Sequence, residues 1–122
     1  MSGIDYLADT NCFIYLLDGH PSMQPFINET WGFSYITEME LLSKKELTAT
    51  EDFNIRQLLD ACVKFGHTQT ITDATIAIRK KYKLKLPDAI IAATAQTLKT
   101  PLLTADKQFG VIDEIDCILL EL

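Results

Sequence analysis

Short apolar runs alternate with helical patterns along the whole chain, and this alternation restricts the possible folds more than any other feature of the sequence. Buried parallel strands appear as brief apolar runs, whereas amphipathic helices repeat their apolar residues about every 3.6 positions. The alternation is typical of an α/β protein with a parallel sheet. The 122 residues, 48% of them hydrophobic, suffice for one core. We therefore predict a single domain over residues 1–122.

The predicted elements follow from apolar periodicity and from helix start and stop signals. One helix should begin at Thr37, because Thr37 and Glu40 have the spacing of a capping box. Another should follow Pro21, since proline suits a first helical turn. The remaining predicted helices are 10–17, 51–64, 73–82 and 87–99, and the predicted strands are 4–8, 31–36, 67–71, 101–104 and 117–120.

Composition and charge exclude several classes of protein. No segment is long and apolar enough to cross a membrane, and the N-terminus lacks a signal-peptide layout, so we expect a soluble, cytoplasmic protein. The net charge of −6 argues against a domain that holds nucleic acid by bulk electrostatic attraction. Three widely spaced cysteines, with no metal-ligand or redox spacing, are interpreted as small core residues.

Four carboxylates stand where predicted strands end or helices begin. Asp9 and Asp106 follow strands, Glu40 lies near the start of a helix, and Asp88 opens the helix that contains Pro87. The carboxyl ends of parallel strands line one edge of a sheet, where ligands bind beside helix N-termini. These side chains could therefore converge, although each one alone is equally well explained as a helix cap.

Convergence of several carboxylates would require compensation. Two carboxylates about 4 Å apart repel by roughly 4 kcal/mol at an effective dielectric constant near 20. A divalent cation removes that cost, and ligation by oxygen alone favours Mg²⁺ or Mn²⁺. Zinc is disfavoured, since His20 and His67 are isolated from each other and from the cysteines.

Four segments of the sequence resemble the PIN domains, and most closely the small VapC-type toxins of toxin–antitoxin pairs. The Leu-Pro-Asp-Ala run and the Leu-Leu-Thr-x-Asp-x-x-Phe run are the most specific pieces. In order along the chain the segments are Leu-Ala-Asp-Thr-Asn at 7–11, Ile-Thr-Glu-Met-Glu-Leu-Leu at 36–42, Leu-Pro-Asp-Ala-Ile-Ile-Ala-Ala-Thr-Ala at 86–95 and Leu-Leu-Thr-Ala-Asp-Lys-Gln-Phe at 102–109.

The resemblance implies both a fold and a set of site residues. The fold would be a three-layer α/β/α sandwich on a central parallel sheet, similar to a Rossmann fold. The acidic positions of the family fall on Asp9, Glu40, Asp88 and Asp106, which would bind metal and carry catalysis. Spacing leaves Glu38 open as a rival of Glu40, but the family's Glu precedes a Leu pair, which favours Glu40. Asn11 and Thr104 would support the site from beside the metal ligands.

The resemblance also implies an Mg²⁺- or Mn²⁺-dependent endoribonuclease, the toxin of a type II toxin–antitoxin system, with a cognate antitoxin and frequent homodimerisation. Arg79, Lys80 and Lys81 belong to a basic run that could hold RNA phosphates, although a solvated helix end explains the run somewhat better.

Two alternatives stay open at this point. One is a catalytically silent PIN-like module that binds RNA or protein through the same edge. The other is a flavodoxin-like signalling or phosphohydrolase domain, which the sequence supports less because it has no Asp-x-Asp motif and no glycine-rich phosphate loop.

Overall fold

The computed structural model describes residues 3–122 and contains one five-stranded parallel sheet. The strands run in the spatial order β3-β2-β1-β4-β5, so the first strand lies at the centre. They are β1 (Tyr6–Ala8), β2 (Trp31–Ser34), β3 (Val63–Phe65), β4 (Leu102–Thr104) and β5 (Cys117–Leu119).

Helices cover both faces of this sheet, which confirms the predicted three-layer α/β/α sandwich. The helices are α1 (Thr10–Leu17), α2 (Tyr35–Leu42), α3 (Ala49–Asp60), α4 (Gln69–Lys81) and α5 (Leu86–Leu98), and two 3₁₀ turns cover Pro21–Phe26 and Lys107–Val111.

The two cores follow from the alternation of side chains along each strand. Leu7 of β1 and Leu102 of β4 pack among residues of α4 and α5. Their neighbours Ala8 and Leu103 face the other side, among residues of α1, α2 and α3. Successive residues of a strand point to opposite faces, so central strands buried on both sides must be apolar throughout. This explains the short apolar runs in the sequence.

Three of the predicted local structures are wrong, and the first is the helix predicted over 51–64, which ends at Asp60 before β3. Residues 67–71 were predicted as the third strand, but that strand is Val63–Phe65, and Thr68 instead caps α4 by accepting a hydrogen bond from the Ile71 N–H. The capping box predicted at Thr37 is also absent, because α2 begins two residues earlier, with Ser34 as its N-cap. The same Thr-x-x-Glu spacing recurs at Thr48, and there the capping box does form.

The strand order creates a specific place for a ligand. From β1 the chain proceeds outward to β2 and β3, and it later returns to the other side of β1 with β4 and β5. The direction of winding therefore reverses between β1 and β4. In open parallel sheets, ligands bind outside the carboxyl ends of the strands at such a switch point.

Candidate active site

Asp9 lies at this switch point, directly after β1. It is the N-cap of α1, and its Oδ1 accepts a hydrogen bond of 3.3 Å from the backbone N–H of Cys12. The hydroxyl of Thr104, at the end of β4, donates to Asp9 Oδ2. Only 5% of Asp9 is exposed, and this burial raises the pKa of its carboxyl against the opposing effect of the hydrogen bonds. Asp9 is thus a buried carboxylate held between two strand ends.

Thr104 connects this carboxylate to the next one. Its side chain is fully buried, and its Oγ1 accepts a hydrogen bond of 3.0 Å from the backbone N–H of Asp106. Asp106 in turn caps the 3₁₀ turn that follows, where its Oδ1 accepts from the Gln108 N–H at 3.0 Å. One hydroxyl therefore sets the position of Asp9 and of the chain that carries Asp106.

Glu40 and Glu38 lie on different sides of α2. Glu40 Oε1 accepts a hydrogen bond of 2.6 Å from the hydroxyl of Thr10, the residue after Asp9. Glu38 instead forms an ion pair of 3.2 Å with Lys64. Residues two apart on a helix point in nearly opposite directions, so only one of the two can face the site. Here Glu40 is the one that faces the site. The sequence predicted Glu40 in the first turn of its helix, but it lies in the second turn of α2.

Asp88 lies in the first turn of α5, beside Asp106. One amide bridges the two carboxylates: Gln108 Nε2 lies 3.2 Å from Asp88 Oδ2 and 2.6 Å from Asp106 Oδ2. The pKa of Asp88 is raised, first by burial and then by the negative charges of Asp106, Glu40 and Asp9. The hydrogen bond from Gln108 opposes that rise. The other three carboxylates therefore lie close enough to Asp88 to affect it electrostatically.

The donor set fits a hard divalent cation in its chemistry. Four carboxylates lie near one another and are accompanied by threonine hydroxyls, and oxygen ligands are those that Mg²⁺ and Mn²⁺ prefer. Within residues 3–122, however, no three Asp, Glu, His or Cys side chains are arranged to hold one ion together. Neutral donors contact the carboxylates instead. The group thus has the chemistry of a site for a hard divalent cation.

Two residues of the site were not identified from the sequence. Thr10 Oγ1 contacts Glu40 and also lies 3.0 Å from Thr37 Oγ1, so it links α1 to α2. Gln108 links α5 to the 3₁₀ turn. Both lie inside the segments that resemble the family, so their positions were visible, but their partners lie 20 to 30 residues away in sequence. Asn11, which was predicted, is exposed, and its backbone N–H faces the Asp9 carboxylate.

The basic run before Asp88 divides into two groups. Lys81 forms an ion pair of 3.6 Å with Glu114 and lies over the ring of Tyr82, 5.3 Å from its centroid. Arg79 and Lys80 instead line a shallow groove between α4 and the start of α5. Its other lining residues are Thr75, Ile76, Tyr82, Lys83, Leu84 and Leu86. This groove is both cationic and apolar.

The cysteines are consistent with the structural interpretation given to them. Cys12 is fully buried, and its thiol donates to the Leu103 carbonyl oxygen at 3.2 Å. Cys62 and Cys117 are partly buried, and all three are free thiols. Burial raises the pKa of the Cys117 thiol to about 11, and the charges of Asp116 and Asp9 add to the rise. At neutral pH this thiol is therefore protonated and unreactive.

The fold places this chain among the α/β proteins with a parallel sheet and a cluster of carboxylates at the switch point. Comparison with known proteins identifies the family. The PIN domain family model matches residues 6–115. The chain therefore belongs to the PIN domain family. Among curated proteins, none matches the chain. In the part of the chain that the structure describes, no helix is long and apolar enough to cross a membrane.

Solved structures with the same fold include several toxin–antitoxin complexes. A chain of a toxin–antitoxin complex from Klebsiella pneumoniae is 32% identical, with a TM-score of 0.78 over 90% of this chain and 94% of that one. VapBC2 from Rickettsia felis, bound to a DNA fragment from its promoter, is 19% identical, with a TM-score of 0.81 over 95% and 98%. VapBC-1 from Haemophilus influenzae is 22% identical, with a TM-score of 0.79 over 93% and 96%. The last two show the shared fold.

Proposed function

We propose that this protein is an endoribonuclease that depends on Mg²⁺ or Mn²⁺ and acts as the toxin of a type II toxin–antitoxin pair. The observation that carries the proposal is the group formed by Asp9, Glu40, Asp88 and Asp106, which come from four separate segments of the chain. A protein that only binds a partner gains nothing from four carboxylates gathered at one edge of the sheet. A phosphodiesterase does, because such a group can bind the cation that the reaction requires.

The roles of the side chains follow from their positions. Asp9 and Asp106 would be the principal ligands, since Thr104 orders both at the ends of adjacent strands. Asp88 and Glu40 would complete the ligand set or orient the attacking water through their free oxygens. A bound divalent cation would neutralise the charge on the phosphoryl oxygens and activate that water. Thr10 fixes the carboxylate of Glu40 through its hydrogen bond.

The first test is cleavage of total cellular RNA by wild type and by an Asp88→Asn variant, with Mg²⁺ or Mn²⁺ and with EDTA, followed by sequencing of the new 5′ ends. We expect discrete cuts that require metal and disappear in the variant. Asp60→Asn is the matched control, because Asp60 is an exposed carboxylate on α3 and should leave the cuts unchanged. Identical patterns from wild type and Asp88→Asn would favour the catalytically silent binding module.

We propose that the cationic groove beside α4 binds the RNA backbone. Arg79 and Lys80 line this groove. Among the described residues Lys80 forms no ion pair, whereas the neighbouring Lys81 is paired with Glu114. Lys81, which the sequence placed in the same group, is therefore a weaker candidate. A local cationic groove also accounts for RNA binding by a protein whose net charge is −6.

Replacing Lys80 by Ala should raise KM for RNA about fivefold, with kcat unchanged, because one phosphate contact contributes about 1 kcal/mol and lies outside the reacting group. The slope of log affinity against log salt should also fall by about 0.7, as expected for one lost contact on a single strand. Lys45→Ala, an exposed lysine beside Glu46, is the control. Equal KM values for all three proteins would exclude the groove as a binding site for RNA.

We further propose a cognate antitoxin and a homodimer as partners. The toxin–antitoxin complexes among the structural neighbours support the first. The second is supported by exposed apolar side chains such as Phe53 (60%) and Val111 (65%), which a partner chain would cover.

A further inference from the structure

The side-chain amide of Gln108 lies between two carboxylates that the proposed function requires for metal binding. We propose that Gln108 is a positioning residue that bridges Asp88 and Asp106 in the metal-free protein and must release both when a divalent cation binds. The inference rests on the proposed metal dependence and adds one point to it. The Gln108 amide lowers the affinity of the site for metal because it competes for the carboxylate oxygens.

The contacts show that the amide is directed at both carboxylates. Its Nε2 lies 2.6 Å from Asp106 Oδ2 and 3.2 Å from Asp88 Oδ2. A primary amide has two N–H donors, so it can serve both acceptors at once. The backbone N–H of Gln108 binds the other oxygen of Asp106, and the next residue, Phe109, is 1% exposed. The main chain therefore fixes this side chain next to Asp106.

The amide and a cation compete for the same oxygens. Mg²⁺ requires ligand oxygens at about 2.0 to 2.1 Å. If Asp88 and Asp106 held an ion through these oxygens, the ion would meet the positively polarised hydrogens of the Gln108 amide, which already contacts both. Both occupants relieve the repulsion between the carboxylates, but only one can be present.

The competition determines whether removing the amide raises or lowers the affinity of the site for metal. If the two hydrogen bonds exist only without metal, removing them destabilises only the metal-free state, and the metal binds more tightly. If they persist in the metal-bound state as a rigid support, removing them loosens the ligands, and the metal binds more weakly. A change in affinity therefore distinguishes a competitor from a simple support.

The test is calorimetric titration of MgCl₂ into wild type, Gln108→Met and Gln57→Met. Methionine keeps the length of the side chain and removes both donors, and Gln57 is an exposed glutamine on α3. We expect Gln108→Met to bind Mg²⁺ about tenfold more tightly, which is about 1.4 kcal/mol, and Gln57→Met to match wild type within twofold. Weaker or unchanged binding in Gln108→Met overturns the inference and leaves the proposed nuclease function standing. No Mg²⁺ binding by any of the three overturns both.

A second measurement follows the amide directly. The side-chain N–H signals of Gln108 in a ¹⁵N–¹H spectrum are identified by their loss in Gln108→Met. Addition of Mg²⁺ should move these signals toward the positions of the exposed Gln57 amide. Signals that stay in place while Mg²⁺ binds would show that the amide keeps its carboxylate partners, which contradicts the inference.

Discussion

An Asp9→Asn variant should lose RNA cleavage by about a thousandfold or more and yet unfold at a higher temperature than wild type at pH 7 without divalent metal. A thousandfold loss corresponds to about 4 kcal/mol of transition-state stabilisation, which is the scale that a metal ligand supplies. Asn preserves the N-cap of α1, because its side-chain oxygen can still accept from the Cys12 N–H. The fold should therefore survive the substitution.

The gain in stability follows from the raised pKa of Asp9, which burial causes. A carboxyl whose pKa is higher in the folded protein than in the unfolded chain stabilises the fold when protonated, below its unfolded value of 3.8. That contribution is lost as the pH rises through the folded pKa, so at pH 7 wild type carries a buried charge that Asn lacks. We expect a gain on the order of 1 kcal/mol.

Thermal unfolding from pH 4 to pH 8 in EDTA checks this prediction. The advantage of Asp9→Asn should be greatest at neutral pH and should shrink as the pH falls through the raised pKa. Asp60→Asn, an exposed carboxylate, should show no such trend. A variant that is less stable than wild type at every pH would mean that the Asp9 charge is already compensated in the metal-free protein.

Replacing Phe13 by Ala should reduce the free energy of unfolding by about 3 to 5 kcal/mol. Phe13 is fully buried and packs edge-on against Trp31 and Phe33, with ring centroids 5.4 and 5.8 Å away. It attaches α1 to the sheet, and the loss is a large part of the roughly 5 to 15 kcal/mol that stabilises a typical domain. The cavity would also loosen the helix that Asp9 caps.

Urea denaturation of Phe13→Ala and Met39→Ala measures this effect. Met39 lies on α2 and is 49% exposed, so its replacement should change the free energy of unfolding by no more than about 0.5 kcal/mol. Similar losses in both variants would place the main contacts of the core elsewhere.

The central part of the fold could be predicted from the sequence because its signals are local. The predicted bounds of α1 are those of the structure, and β1, β2 and β4 are apolar because they are buried. The third strand could not be predicted, since Val63–Phe65 is a three-residue edge strand with two exposed residues and carries no alternating pattern. Its pairing with β2 is a tertiary contact that local preferences do not contain.

Only part of the candidate site could be predicted from the sequence. Asp9 and Asp106 follow strands and Asp88 opens a helix, so the rule that parallel strands end at one edge brings these three together, whereas Glu40 reaches the site from the second turn of α2. Gln108 and Thr10 follow no such rule, because their importance lies in hydrogen bonds to Asp88 and Glu40, which depend on how the helices pack. The error at Thr37 arose because a Thr-x-x-Glu spacing can also lie inside a helix: α2 begins at Tyr35 with Ser34 as its N-cap, whereas Thr48 does precede a helix.

The order of the strands also determines when the site can exist during synthesis of the chain. Asp9 is made early, but the hydroxyl that binds it belongs to Thr104, and β4 must pair with β1 before the two meet. Asp106 arrives later still. The four carboxylates therefore come together only after the chain has been made as far as Asp106 and β4 has paired with β1, so the assembly of the site is coupled to one of the most distant pairings in the fold.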